Sequence, residues 1–391
     1  MERYVDPERP LRYSYKSINN SLLDKYLLRH WWALAIKAIP PGANANMLSM
    51  VGNLGSWFAF ILLAGIPWGP AGLRGGAPSW LFFLAAGSIF FYHTLDALDG
   101  MQARRTGAAG PLGEFVDHWF DSFNAFLLPL GLILAFPVLP PLLAALLVAL
   151  FAAADFLTLE AVRKTGILVF DPLSADEGVF LNIALLIAIG ATGYDFWARP
   201  LPLGLAPIQL VFAFYGISVL AVSLRCLSTT GGLERLAAML AGLAPLALWT
   251  HLASARVGPM GTLFGGLLLG FSASRFSGDL LRERLMGLEY GYFPADLAFL
   301  DMLLLASCLV PGASSLQIAA FGWAALTWTL LKLALQFHRA VSRVEEVCGL
   351  GLLGPVQGSE GSYFLPAFVA RLRARSERRA EALREFLDRR R

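Results

Sequence analysis

The chain has 391 residues, 57% of them hydrophobic and only 15% charged, with a formal net charge of +3 and a mean hydropathy of +0.60. Soluble domains carry about 25% charged residues, so this chain lacks the charge to solvate a globular surface. Disorder, collagen, nucleic-acid coats and small disulfide scaffolds are excluded, and Cys226, Cys308 and Cys348 show no metal-ligand spacing.

The composition predicts an all-α, polytopic integral membrane protein. The first 40 residues carry seven basic groups and no uninterrupted apolar run, so no cleavable signal peptide is expected. Residues 19–38 read as an interfacial helix, with Trp31 and Trp32 at headgroup depth. A spanning helix needs roughly 20 mostly apolar residues. Ten candidates follow, at about 47–66, 79–95, 120–138, 140–162, 178–198, 205–224, 236–252, 258–274, 296–312 and 316–336. Gly52, Gly55, Gly87, Gly131, Gly265 and Gly266 lie within spans and read as close helix packing. The Gly/Pro-rich segments 67–78 and 349–365 are connections.

The expected organisation is an N-terminal segment at 1–46, a membrane domain at 47–336 and an arginine-rich tail at 337–391. From Pro366 the tail holds nine Arg against four acids, either a helix on anionic lipid or a solvated one. Ten spans put both termini on one side. The opposite loops then hold only Arg74, Arg199 and Arg256 of the 31 Lys and Arg, so the terminal side is predicted to be cytosolic.

One stretch breaks the apolar rule, His93 to Asn124, with Asp96, Asp99, Asp117 and Asp121. Asp96 and Asp99 are spaced i,i+3 and Asp117 and Asp121 i,i+4, so each pair projects from one helix face. The turn-forming segment from Arg105 to Pro111 makes the two helices antiparallel neighbours. Four converging carboxylates stay ionised only with cations among them. Oxygen-only ligands favour Mg²⁺, Mn²⁺ or Ca²⁺ over zinc, and two ions shared by four Asp suit phosphoryl transfer. Gly100, Ala103 and Gly113 remove bulk on the acidic face, and Arg104 offers a planar fork for phosphate oxygens.

Asp96, Asp99, Gly100, Ala103, Arg104, Gly113, Asp117 and Asp121 fill D-x2-D-G-x2-A-R-x8-G-x3-D-x3-D, the signature that this segment resembles, that of the CDP-alcohol phosphotransferase family. The flanks DGMQARRTGAAGPLGEFVDHWFDS, the segment RYSYKSINNSLL from Arg12 and ANANMLSMVGNL from Ala43 are similar to the eukaryotic choline and ethanolamine phosphotransferases. Met101, Ala45, Ser49, Trp119 and Phe120 depart from that branch's usual residues, and Glu160 and Glu177 match its later acidic positions only loosely.

The resemblance implies transfer of phosphocholine or phosphoethanolamine from a CDP-alcohol to diacylglycerol, releasing CMP. It places Asp96, Asp99, Asp117 and Asp121 on two Mg²⁺ or Mn²⁺ ions. Asn46, Gly100, Ala103, Arg104 and Gly113 would line the CDP site. His118 or Asp121 would take the proton of the lipid hydroxyl; the pKa range of histidine suits that task. Endoplasmic reticulum or Golgi membrane, with the site and both termini facing the cytosol, is the expected location. Relatives are often dimers, which leaves a homodimer open, and no nucleic-acid partner is implied. Trp119 and Trp32 are candidate aromatic faces for a choline cation. His93 reads as a packing residue, Asp155 as a cavity group, Asp301 as a helix-pairing group, and Arg225 and Arg275 as snorkelling side chains. Two rival readings are a phosphatidyltransferase using CDP-diacylglycerol and a cation transporter with a four-Asp site. The transporter leaves Gly100, Ala103, Arg104 and Gly113 unexplained.

Overall fold

A computed structural model describes residues 4–66, 77–170, 175–202, 204–289, 294–349 and 351–353. Arg74 and the arginine-rich stretch from residue 366 lie outside the described residues. The helices are α1 (Arg29–Ala35), α2 (Ala45–Ala64), α3 (Ser79–Thr106), α4 (Pro111–Ala135), α5 (Pro141–Thr165), α6 (Ala175–Thr192), α7 (Tyr194–Ala198), α8 (Pro207–Thr230), α9 (Leu233–Val257), α10 (Pro259–Met286), α11 (Ala295–Leu309) and α12 (Ser315–Cys348). Two three-residue strands, β1 (Ser17–Asn19) and β2 (Leu168–Phe170), pair in parallel.

The protein is an all-α polytopic membrane protein. Among the described residues, seven helices are long and apolar enough to cross a bilayer: α2, α3, α4, α5, α8, α9 and α12. α6, α10 and α11 occupy the positions expected for three further spans. A helix satisfies its own backbone hydrogen bonds, which is what lets these segments sit in hydrocarbon. α4 is central: 78% of its most apolar stretch is buried within the protein, against 17% for α8, whose side chains are left to face lipid. α4 packs against α2, α5 and α10, while α3 lies between α2 and α6.

Two glycines set the approach of α2 to α3. A Cβ on Gly52 would lie 2.9 Å from Leu95 Cβ, and one on Gly55 2.6 Å from the Ser88 carbonyl. Only bare backbone fits at these crossings. Gly131, Gly265 and Gly266 are likewise pressed by Leu63, Thr250 and Leu130, but Gly87 faces open space, so packing does not account for it.

Several elements differ from the sequence expectation. The span at 178–198 is broken at Gly193 (φ 89°), which separates α6 from α7. α12 runs on to Cys348, past the expected boundary at 336, because the segment after Gln336 stays helical. Residues 24–38 are helical as a π turn, α1 and a 3-10 turn. Trp32 does not sit at a lipid surface, however. It is 6% exposed and packs edge-on against His93, with ring centroids 5.5 Å apart. Trp31 remains 39% exposed and donates to Thr94 Oγ1 at 3.2 Å. Arg275 does not snorkel, since Asp296 holds its guanidinium at 3.0 Å.

Candidate active site

The site begins at a sharp helix reversal. α3 ends on Gly107, whose φ of 67° places it in the left-handed region that glycine tolerates. The Ala108 amide donates back to the Ala103 carbonyl at 2.9 Å. α4 starts three residues after Ala108 with Pro111 in its first turn, a position where the missing N–H costs nothing. The reversal brings the acidic ends of both helices to one site, although α3 and α4 do not pack along each other as the sequence suggests; α2 packs against both.

Asp96, Asp99 and Asp117 each offer an oxygen, and these atoms lie within 4.8 Å of one another. Ligand atoms of Asp117, His118 and Asp121 also lie within 4.8 Å of one another. Asp117 is common to both groups, so the four carboxylates form one continuous acidic surface with the imidazole at one end. Asp96 Oδ1 is buried and has no hydrogen-bond partner among the described residues. A buried carboxylate oxygen without a donor is costly, and a hard divalent cation is the ligand that would satisfy it. The donor set thus fits a divalent metal ion.

α2 completes the site from the third side. Its N-terminus is capped by Asn44, which accepts from Met47 N at 3.3 Å. That start brings Asn46 against α4: a Cβ added to Gly113 would sit 3.5 Å from Asn46 Oδ1. Asn46 Nδ2 donates to the Leu352 carbonyl at 2.9 Å. One turn further on, the Ser49 hydroxyl donates to Asp99 Oδ2. On α3, the Arg104 guanidinium folds back over Gly100, its Nη1 3.4 Å from where a Cβ would stand. Ala103 is half-buried between them and adds no polar group.

Further residues that sequence reasoning did not single out hold this arrangement. Tyr92 donates its hydroxyl to Asp121 Oδ1 at 2.9 Å. Asn124 donates to Asn53 Oδ1 at 2.8 Å and accepts from Ser56 at 2.6 Å, a buried polar cross-link of α4 to α2 beneath the carboxylates. Gln102 Nε2 reaches the carbonyls of Pro40, Pro41 and Ala43, and Arg105 reaches those of Ile36, Ile39 and Pro40. Together they tie the end of α3 to the loop that launches Asn46. Glu114, on the first turn of α4, forms a buried ion pair with Arg284 near the end of α10. The sequence signal for Gln102 and Arg105 was present, since both lie inside the matched segment, but it does not say what they bind.

The N-terminal segment straps this face. Val5 N donates to the Gly287 carbonyl at 2.8 Å, Leu168 N donates to the Lys16 carbonyl at 2.9 Å, and the Ser21 hydroxyl donates to Glu177 at 2.8 Å. Between these anchors, burial pushes the Tyr13 phenol up to about 12, with Arg284 opposing and Asp117 adding to the rise.

Of the other polar groups, Asp155 lies within electrostatic range of Asp121 and His118, and the rest lie apart from the carboxylates or play packing roles. Glu160 pairs with Arg163 at 2.7 Å and Lys164 at 3.3 Å. Asp155 accepts from Ser277 at 2.9 Å. Asp301 is buried on α11, its Oδ1 without a hydrogen-bond partner among the described residues, so no helix pairing is seen for that oxygen. His93 is enclosed by Trp32 and Phe180, with Nε2 3.5 Å from Asp176. Trp119 is packed among Phe115, Phe120, Phe123 and Phe337 and donates to Gln336 at 3.2 Å. Trp119 and Trp32 both spend their ring faces and edges on protein, so neither presents a free face for a quaternary ammonium.

Carboxylates close enough together to share a divalent cation, with an arginine and bare backbone beside them in a helical membrane bundle, are the groups that binding a phosphate ester on metal would require. The chain belongs to the CDP-alcohol phosphatidyltransferase family, whose model matches residues 43–272. It is 29% identical over 194 residues to an uncharacterised class-I member from Dictyostelium discoideum, covering 49% of this chain and 47% of that one. A second uncharacterised class-I member, from Schizosaccharomyces pombe, is 30% identical over 191 residues, 48% of each chain. Choline/ethanolaminephosphotransferase 1 of Arabidopsis thaliana is 37% identical over 114 residues, 28% of each chain. The chain spans about half the length of the first two curated relatives.

Proposed function

We propose that this protein transfers phosphoethanolamine or phosphocholine from the CDP-alcohol to diacylglycerol, forming phosphatidylethanolamine or phosphatidylcholine and CMP. The observation that carries this reading is the convergence of Asp96, Asp99, Asp117 and Asp121 beside His118, with Gly100, Arg104, Gly113 and Asn46 in register around them. The names of the Arabidopsis relative and its like supply the head-group class.

In this reading Asp96, Asp99, Asp117 and Asp121 hold two Mg²⁺ or Mn²⁺ ions. When bound, the ions neutralise the pyrophosphate and stabilise the charge that develops on its oxygens. Arg104 binds phosphate oxygens beside Gly100, where no side chain obstructs them. Asn46 and Gly113 bound the cytidine end, and Ala103 leaves it room. His118 takes the proton of the diacylglycerol hydroxyl as that oxygen bonds to the phosphorus carrying the alcohol. The bond from that phosphorus to the bridging oxygen breaks, and CMP leaves with the electron pair. Asp121, engaged by Tyr92 and committed to the metal, is the weaker base. The protein would span an endoplasmic reticulum or Golgi membrane ten times, with both termini and the site on the cytosolic side, as a monomer or a homodimer.

The test is CMP release by the purified protein in detergent with diacylglycerol, Mg²⁺ and either CDP-choline or CDP-ethanolamine. Metal-dependent CMP release with one of these donors is expected, abolished by Asp99→Ala with the fold assembled. CMP release only with CDP-diacylglycerol and a soluble alcohol would replace this reading with the phosphatidyltransferase one. Metal-dependent ion flux without CMP would replace it with the transporter.

A further inference from the structure

A cleft of about 480 Å³ runs between α9 and α11, lined chiefly by Ala241 and Pro245 on α9 and by Ala298, Asp301, Met302 and Ala306 on α11. That volume lies in the range of small-molecule sites. Short side chains make the room. Ala241, Ala298 and Ala306 are exposed along the cleft, so it opens toward lipid. Asp301 is its buried member, 4% exposed. Exposed apolar side chains flank it on both helices, Leu248 on α9 and Phe299 on α11, which gives surface for two acyl chains.

Two acceptors in this apolar wall are short of donors. Asp301 Oδ1 is buried and has no hydrogen-bond partner among the described residues. A buried carboxyl oxygen without a donor is costly, the more so inside a membrane. Across the cleft, Pro245 stands inside α9. Proline has no N–H, so the Ala241 carbonyl four residues back does not receive its usual helical hydrogen bond. Among the described residues that line the cleft none is basic, so the wall offers nothing to a phosphate. Asp301 lies five residues along α11 beyond Asp296, about 7.5 Å. The ion pairs of Asp296 with Arg275 and Lys332 mark the polar boundary of this helix. A phospholipid keeps its charged headgroup at such a boundary, whereas an uncharged lipid hydroxyl reaches past it.

We propose that this cleft binds diacylglycerol at a site apart from the carboxylate cluster, its free hydroxyl donating to Asp301 and its acyl chains lying along α9 and α11. Acceptors without a cation select a neutral hydroxyl donor and repel a phosphodiester. Diacylglycerol is also the acceptor in the proposed reaction, but occupancy of this cleft is read without turnover and does not rest on that reading.

The experiment is photo-crosslinking of the full-length purified protein in detergent, with the modified peptides mapped by mass spectrometry. The probes are a diacylglycerol with a diazirine in one acyl chain, the same lipid with its hydroxyl acetylated, and the matching phosphatidylcholine. Saturable labelling of α9 and α11 peptides by the diacylglycerol is expected. The acetylated lipid and phosphatidylcholine should label them about 10-fold less, as befits one hydrogen bond lost at a buried acceptor. Asp301→Leu should lower the diacylglycerol labelling of those peptides to the same extent, and Asp301→Asn, which keeps an acceptor oxygen, should retain most of it. Equal labelling by the acetylated lipid, or undiminished labelling of Asp301→Leu, would overturn the proposal. So would crosslinks between two copies of the chain across α9 and α11 in place of lipid labelling, which would assign the cleft to a subunit contact. Competition by cholesterol as strong as that by unlabelled diacylglycerol would overturn the choice of lipid. Should Asp301→Leu not assemble, Ala306→Phe fills the cleft from its exposed rim, leaves Asp301 in place and is expected to lower the labelling alike.

Discussion

The Ser49 hydroxyl on α2 is hydrogen-bonded to the Asp99 carboxylate on α3, across 50 positions of sequence. It orients one of the carboxylates proposed to hold metal, beside Asp96 and Asp117. Partners of this kind typically account for 10–100-fold in metal affinity or activity. Ser49→Ala should therefore raise the divalent-ion concentration needed for half-maximal CMP release about 10–100-fold. Ser49→Thr, which keeps the hydroxyl, should stay near wild type. An unchanged metal dependence in Ser49→Ala would show that Asp99 needs no such support.

His118 shares its neighbourhood with Asp117 and Asp121, and under the proposed mechanism its loss removes the base but not the metal site. General-base removal typically costs about 10²–10⁴-fold. His118→Ala should lower kcat by that order, with CMP and CDP-alcohol binding preserved. Equal losses in binding and turnover would mean that the imidazole holds the site together rather than moving a proton.

Gly113 tests the cytidine end. A Cβ there would make only an ordinary 3.5 Å contact with Asn46 Oδ1, so Gly113→Ala should be tolerated. The methyls of Gly113→Val reach further and should displace Asn46. The expected result is a raised KM for the CDP-alcohol with a smaller change in kcat. If both variants behave alike, Asn46 does not depend on that space.

The Glu114–Arg284 pair tests stability rather than chemistry. Both side chains are nearly sealed from solvent, at 2% and 9% exposure. Removing one partner of a buried pair typically costs about 3–5 kcal/mol, because the other charge is stranded. Glu114→Ala should lower the melting temperature markedly in detergent. Replacing both residues with Leu should recover much of the loss, since two apolar side chains strand no charge. A double variant no more stable than Glu114→Ala would show that the pair itself, and not the stranded arginine, matters.

How much was legible in advance depends on the distance over which each feature is decided. The helical, membrane-spanning character followed from composition and from runs of apolar residues, which are local. The convergence of the four aspartates followed from the short reversal between Thr106 and Pro111, but α3 and α4 do not pack along each other as the spacing suggests; α2 packs against both. The break at Gly193 and the extension of α12 to Cys348 were missed because hydropathy reports burial in lipid and not helix continuity. Residue type alone puts Trp32 at the headgroups, and packing against His93 buries it instead.

The sequence by itself determined the identity and spacing of the eight motif residues, since i,i+3 and i,i+4 offsets on a helix put side chains on one face whatever surrounds it. Only the tertiary structure decided what supports them. Ser49 on Asp99, Tyr92 on Asp121, Asn53 and Ser56 on Asn124, and Gln102 on the carbonyls before α2 all join separate elements. Such contacts exist only once Gly52 and Gly55 have let α2 close onto α3. They depend on a helix crossing, and no spacing along one chain encodes a crossing.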